Sequence, residues 1–384
     1  MRSKVGQCPH CVNNSGIDVR CLVVRSQVEE FMDLNWKRSF KLKLEKREVL
    51  GLDIGSSAVK VIQLRKDGAD YTVTAAGIAD IAAGENSNDL IEINTVGAIC
   101  KCLESTGIQT RLAVCSVCGP EVAVRGFQFP LLRPEEIEGA VLLEAGQVCP
   151  FNIDDASVDY QLIPDGDGKI SGVLVAATNK VLKRKIQFAE EASLNCVLMD
   201  VDALALLNCF SECEKPEAGQ TTAILNVGSS YTSLAIMGNN NLPFVRDMAY
   251  AGKDIIQQIA SENNLSTEAV GKILFIGEIA DHPEFELTDS LARACQKLIV
   301  DVSETLRYYT AQEKSAVVDN VFVCGSFALV KGFIELLDSQ LPARVVLWNP
   351  FDKMRCDTGQ PCRDILAKRG PAMAVAVGLA MRLI

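Results

Sequence analysis

The sequence predicts an α/β protein built from two related halves that face one ligand. Three stretches predict it. The first, Leu50 to Leu64, is an apolar strand reaching Asp53, a small turn of Gly55, Ser56 and Ser57, and a second strand of Val and Ile. The second, Ala223 to Met237, repeats that pattern without a gap: Asn226 falls on Asp53, Gly228 on Gly55, and Ser229 and Ser230 on Ser56 and Ser57. The third, Val321 to Phe333, is an apolar strand, a glycine turn at Gly325 and a helix. Internal similarity is a stronger clue than either hairpin alone.

Gly55 admits dihedrals closed to other residues, and small neighbours let an anion approach the backbone. The turn amides and the Ser56 and Ser57 hydroxyls then suit phosphate oxygens. Asp53 repels a bare phosphate, so this reading requires a divalent cation between them. The first hairpin alone fits an ordinary Gly-Ser turn equally well. Its echo is what favours a two-sided site.

Composition bounds the possibilities. The 384 residues suffice for two or three domains. A net charge of −11 disfavours a general nucleic-acid role. No uncharged apolar run approaches the ~18 residues of a membrane span, and the N-terminus lacks the apolar core of a secretory signal. The 15 cysteines, an odd number scattered through apolar segments, read as free thiols in a reducing compartment.

Residues 1–46 read as a leader outside the fold, poorly ordered, with residues 1–31 an extension before Met32. It holds Cys8-Pro-His-Cys11, half a zinc site that reads as incidental, and a basic stretch from Trp36 to Leu44 suited to a solvated tail or an anionic surface. Residues 47–118 form a first half-domain. It has strands at 49–54, 58–65, 70–78 and 111–117, and a helix at 89–105 whose Leu90, Val96, Ile99, Cys100 and Leu103 share a face.

Residues 119–190 form an inserted subdomain of order β-α-β-β-α. Its strands are at 121–129, 156–164 and 170–178, and its helices at 134–148 and 179–193. Pro134 and two glutamates open the first helix, where acids meet the positive end of the dipole. Residues 191–220 return through a strand at 196–201 to a connecting helix. Asp202 caps that helix, or else Asp200 or Asp202 points at a nucleotide's water. Residues 221–384 form the second lobe, with helices at 253–264, 266–275, 289–313, 332–339 and 371–383, and strands at 243–248 and 343–347. Gly252 opens the first of these helices, whose N-terminal amides suit phosphate. Ala374, Ala376, Gly378 and Ala380 let the last helix pack close to a sheet.

The two hairpins resemble the phosphate 1 and phosphate 2 loops of the actin-like ATPase superfamily, and Val321 to Phe333 resembles its adenosine motif. Within that superfamily the chain is most similar to the PilM-like branch of type IV pilus assembly proteins. That likeness rests also on Pro150-Phe151, Asp159-Tyr160-Gln161, Arg246-Asp247, Trp348-Asn-Pro-Phe351 and Ala374 to Arg382, in family order over 47–384. The resemblance implies a duplicated, ribonuclease H-like, two-lobed fold, with residues 119–190 as a 1C-type subdomain.

The resemblance also implies ATP with Mg²⁺ between the lobes. Asp53 would serve the metal. Asp53, Gly55, Ser56, Ser57, Lys60, Gly228, Ser229, Ser230, Gly252, Lys272, Gly325 and Ser326 would serve the nucleotide, Lys272 at the ribose or adenine. It implies a cytoplasmic scaffold at the inner membrane, holding the cytoplasmic tail of a PilN-like protein in a groove between the small subdomain and the first lobe. A homo-oligomer or ring is compatible with it.

Three departures temper the chemistry. Asn226 replaces the usual aspartate and cannot supply charge to a metal. Ser326 replaces a glycine and fits only with ordinary dihedrals. Phe327 either stacks near adenine or fills the site. No general base is evident, since the only histidines are His10 and His282, so efficient turnover is not expected. The rival readings are an adaptor without nucleotide, an FtsA-like polymerising protein and a sugar kinase; Asn226 weighs against the last.

Overall fold

The computed structural model describes residues 48–382, apart from 69, 83–87, 164–167, 215–219, 238–241, 278–286 and 313–316. The leader with its Cys8-to-Cys11 motif and basic stretch lies outside the described residues, as do His282, most of the 164–168 and 238–242 turns and half of the 211–220 linker.

The first lobe begins with β1 (Leu50–Ile54), β2 (Ala58–Asp67), β3 (Asp70–Asp80), α1 (Asn88–Thr106) and β4 (Leu112–Val117). The inserted sheet follows as β5 (Val122–Phe129), α2 (Pro134–Val148), β6 (Ala156–Ile163) and β7 (Ile170–Thr178); α3 (Asn179–Glu191), expected to close that subdomain, instead packs through Leu182, Phe188 and Ala189 in the core of the first lobe. The chain returns through β8 (Asn195–Val201) and crosses on α4 (Asp202–Glu214). The second lobe holds β9 (Thr222–Val227), β10 (Thr232–Met237), β11 (Pro243–Met248), α5 (Gly252–Asn263), α6 (Thr267–Ile276), α7 (Leu287–Gln312), β12 (Asn320–Cys324), α8 (Phe333–Gln340) and β13 (Arg344–Leu347). The chain then runs through β14 (Arg355–Cys356), α9 (Gln360–Arg369) and α10 (Ala374–Ala380).

The duplication expected from the hairpins is present in the sheets. The first lobe's sheet has the order β14-β3-β2-β1-β4-β8, and the second's is β11-β10-β9-β12-β13. In each, a meander of three antiparallel strands meets two parallel ones: β1 pairs β4 and β4 pairs β8, as β9 pairs β12 and β12 pairs β13. The five-strand order repeats, with β14 added at one edge of the first sheet. The inserted subdomain is a separate antiparallel sheet, β5-β7-β6, with α2 on one face through Ile137, Val141 and Ala145. Glu136 accepts the Arg133 amide at 3.0 Å at the start of α2, as its acidic first turn foretold.

The short C-terminal helix explains an otherwise odd glycine in β1. A Cβ on Gly51 would lie 2.1 Å from the Ala376 carbonyl, and one on Gly378 would lie 2.0 Å from that of Ala205. Strand, α10 and α4 therefore meet with backbone against backbone. The helix expected over 371–383 is shorter: Gly370–Met373 form a 3-10 turn, and α10 begins at Ala374. The Pro371 carbonyl in that turn accepts the Gly325 amide at 2.9 Å, which ties it to the second lobe. The sequence left 352–370 unassigned; the structure places β14 and α9 there, with β14 parallel to β3.

Candidate functional site

The two hairpin turns are built alike. The Gly55 amide donates to the Ala58 carbonyl at 3.1 Å, and the Gly228 amide to the Tyr231 carbonyl at 3.0 Å. A Cβ on either glycine would lie 2.9 Å from that same carbonyl. Glycine is required at both positions by crowding rather than by an unusual φ. The turns meet at their tips, where the Ser230 hydroxyl donates to Ser56 Oγ at 2.8 Å. No acceptor among the described residues is paired with the amides of Ser56, Ser57, Ser229 or Ser230. The geometry thus offers two serine-rich turns with unpaired amides at one junction, a donor set suited to a phosphate chain.

Behind the first turn lie the charges. Asp53 and Lys60 stand directly opposite each other on β1 and β2, both buried, with Lys60 Nζ 3.0 Å from Asp53 Oδ2. Asp202, the first residue of α4, directs its carboxyl at Ser116, Cys118 and Asp53. Burial, and then the neighbouring Asp53 charge, push its pKa up to about 6 against the opposing hydrogen bonds. Asp202 thus opens α4 and also has Asp53 as a charged neighbour. Asp200 is different: its carboxylate sits 2.6 Å from Arg382 Nε and 2.5 Å from Nη2, fully buried. Burial still raises its pKa, with Arg382 opposing. That pair fastens the C-terminal segment and leaves no role at a nucleotide.

The second turn lacks this charge. Asn226 faces Ser233 where Asp53 faces Lys60. Its Oδ1 lies 3.9 Å from the Cys324 thiol, which donates to it, and 2.6 Å from where a Cβ on Gly325 would stand. Gly325, at φ +93°, can carry no side chain here. Ser326 has the ordinary helical dihedrals its size demands, φ −65° and ψ −34°. Phe327 is buried in the second lobe's core, packed edge-on against Phe275 and Phe333 and beneath Gly252. It supports the site from below.

One expectation is corrected. The N-terminal amides of α5 are not directed at a phosphate: Gly252 donates to the Gly228 carbonyl at 3.0 Å and Lys253 to that of Ser229 at 2.8 Å. Gly252 is there because a side chain would strike Phe327 at 2.7 Å. The start of α5 therefore braces the second turn. Lys272 lies on α6, more than half exposed, 2.9 Å from Glu268.

The sequence reading missed several contacts that close the junction. The Gly119 amide donates to Asp247 Oδ2 at 2.7 Å, the Tyr231 ring covers Gly119, and Lys185 Nζ donates to the Ile54 carbonyl. Each joins segments far apart in sequence. The Arg246-Asp247 pair was visible as a motif, without its partner.

The residues present fit a magnesium nucleotide. Buried Asp53 and partly buried Asp202 are neighbouring acids, and a divalent cation relieves their repulsion. Among the described residues no cluster of three or more His, Cys, Asp or Glu could hold a metal alone. That suits Mg²⁺, which takes one or two carboxylates and completes its shell with phosphate and water.

Beside this junction a cavity of about 870 Å³ opens between β5 and β11, both sheet edges. Arg125, Gln128, Phe244, Arg246, Asp247 and Tyr308 line it. The cavity differs from the groove expected between the small subdomain and the first lobe: its second wall is Pro243–Asp247 and Tyr308 of the second lobe, and Val201 alone comes from the first.

Known proteins share this architecture. A solved PilM-PilN type IV pilus biogenesis complex matches with a TM-score of 0.73 at 24% identity, covering 88% of this chain and 98% of that one. The ethanolamine utilization protein EutJ from Carboxydothermus hydrogenoformans matches with a TM-score of 0.52 at 12% identity, covering 88% and 90%. The cell division protein FtsA of Bacillus subtilis (strain 168) is 22% identical over 273 residues, 62% of this chain and 61% of that relative. The chain therefore spans less than two thirds of that protein's length. The fold is actin-like, as its duplicated sheets indicate. The family model described as type IV pilus assembly protein PilM matches residues 51–384, and with that match over nearly the whole described chain, the protein belongs to the PilM family of type IV pilus assembly proteins.

Proposed function

We propose that the protein is an ATP-binding scaffold of a type IV pilus or related secretion assembly, holding the cytoplasmic tail of a PilN-like inner-membrane protein. The observation that carries the nucleotide half is the meeting of two equivalent serine turns beside the buried carboxylate of Asp53 and the partly buried one of Asp202. When bound, Mg²⁺ would neutralise charge on the phosphates. Asp53 and Asp202 would hold it or its waters, Ser56, Ser57, Ser229 and Ser230 would donate to phosphate oxygens, and Gly325 and Ser326 would border the nucleoside. Asp202 supplies the second carboxylate that Asn226 does not. With Lys60 engaging Asp53 and no histidine among the described residues, the arrangement favours holding the nucleotide over rapid turnover.

The partner half is supported by the cavity between two unpaired sheet edges and by the partner in the solved PilM-PilN complex. An extended peptide can add to either edge through main-chain hydrogen bonds, with side-chain pockets giving selectivity. No helix among the described residues is long and apolar enough to cross a membrane, so attachment there would pass through the partner.

Equilibrium binding of a fluorescent ATP analogue, with and without Mg²⁺, tests the first half. Saturable, Mg²⁺-dependent binding is expected; its absence leaves the adaptor reading. Pull-down with the N-terminal peptide of a PilN-like protein tests the second. Capture should be lost in Arg125→Glu, and capture unaffected by that change rejects the cavity as the groove.

A further inference from the structure

Helix α3 carries a lysine on the wrong face. Its buried positions are Leu182, Phe188 and Ala189, while Lys180, Lys183 and Arg184 are exposed. Lys185 lies three residues beyond Leu182 and four before Ala189, on the stripe that faces the sheet. An ammonium there needs a specific partner. It has one: Nζ donates to the carbonyl of Ile54, the last residue of β1, next to the glycine of the first turn.

The place from which α3 departs gives this contact a meaning. The small subdomain joins the first lobe by two chain crossings that are bonded to each other. The Thr178 amide donates to the Glu121 carbonyl at 3.0 Å, and its hydroxyl to the Glu121 carboxylate at 3.0 Å. Helix α3 starts at once after Thr178, whose hydroxyl also caps it by accepting from Val181 at 3.4 Å. Lys185 is two turns further on, about 10 Å along a rigid helix. The neck of the subdomain, α3 and the first turn are thus one connected piece.

We propose that Lys185 is a positioning residue: it holds the first turn in place for phosphate and makes that placement depend on the small subdomain through α3. This rests on the nucleotide reading of the turns, and the test separates the two. Lys185→Met keeps the aliphatic stem and removes the donor; Lys183→Met, on the exposed face, is the control. In ligand-free protein, hydrogen exchange at the Gly55 amide, bonded to the Ala58 carbonyl, should quicken several-fold in Lys185→Met and stay at the wild-type rate in Lys183→Met. Affinity for Mg²⁺-ATP and for Mg²⁺-tripolyphosphate should fall about tenfold, the scale of one charge-assisted bond. Affinity for adenosine should not change, whereas a general loss of structure would lower all three. Lys185→Arg should recover part of the loss. Wild-type exchange at the turn in Lys185→Met overturns the proposal. If wild-type protein binds no ATP, the nucleotide reading falls and the exchange result alone decides whether Lys185 holds the turn.

Discussion

The two hairpins share one backbone and carry different chemistry. Their turn hydrogen bonds agree to 0.1 Å, and their glycines are crowded by equivalent carbonyls at the same distance. Yet the cross-strand pair behind the turn is Asp53–Lys60 in one and Asn226–Ser233 in the other. The first is charged, buried and set beside a second acid; the second is neutral and turned toward the strand of the adenosine segment. Two positions earlier on each first strand the contrast is steric. Gly51 lies under α10, while its counterpart in the alignment, Ile224, fills a core. Duplication fixed the shape of the turns. What packs behind each half decided what each turn can do.

Five changes test that contrast, the largest effect first. Asp53→Ala should abolish Mg²⁺-dependent nucleotide binding and also leave Lys60 buried without its partner, costing roughly 3–5 kcal/mol of stability. Binding titration and urea unfolding would show both; ATP binding at wild-type strength would reduce the first hairpin to a plain turn.

Gly51→Ala comes next, because the new methyl meets backbone on α10 that cannot rotate away. A loss of about 3 kcal/mol, at the upper end of overpacking effects, is expected in urea unfolding. Ile224→Ala at the matching position should also destabilise, by about 2–5 kcal/mol, through an empty space instead of a clash. A tolerated Gly51→Ala would mean that α10 can shift.

Asp202→Asn should raise the stability of the ligand-free protein. The folded-state pKa of Asp202, about 6, lies above its ordinary 3.8, so the folded protein binds more protons between those values. Stability therefore falls as pH rises through that window and stays lower above it. The amide removes this loss, a gain of roughly 1–2 kcal/mol at pH 7, and flattens the profile from pH 4 to 6. The same variant should bind Mg²⁺-ATP more weakly. An unchanged pH profile would place the Asp202 charge elsewhere.

Asn226→Asp should act in the opposite direction and least strongly. It restores a carboxylate to the second turn and should strengthen Mg²⁺-dependent binding several-fold, at a cost of about 1 kcal/mol to the ligand-free protein for a partly buried charge. If affinity does not change, Asp202 already meets the metal's need for a second carboxylate.

Much was legible in the chain because it rested on local rules. Strand, small turn and strand at 50–64 and 223–237 gave both hairpins to within a residue or two. The alternation of 121–129 gave β5, and Pro134 with its two glutamates gave the start of α2. The small residues from Ala374 to Ala380 announced close packing, and Gly51 and Gly378 are where it occurs. Lys185 was not legible. In sequence it is the third of three consecutive basic residues, and only the helix's rotation against the sheet turns it inward. The direction of the α5 amides was equally hidden, since a helix start is compatible with either a phosphate or a carbonyl.

The sequence by itself determined the duplicated α/β architecture, the inserted subdomain and the positions of both turns. Hydrophobic period, glycine placement and internal repetition are all properties of neighbouring residues. Tertiary structure alone decided that Asp202 stands beside Asp53, that Asp200 is claimed by Arg382 and that Asn226 turns to Cys324. These pairings join residues from 98 to 182 positions apart. Whether a carboxylate is a ligand, a cap or half of a buried ion pair depends on which charge packing brings within a few ångströms, and no local pattern carries that information.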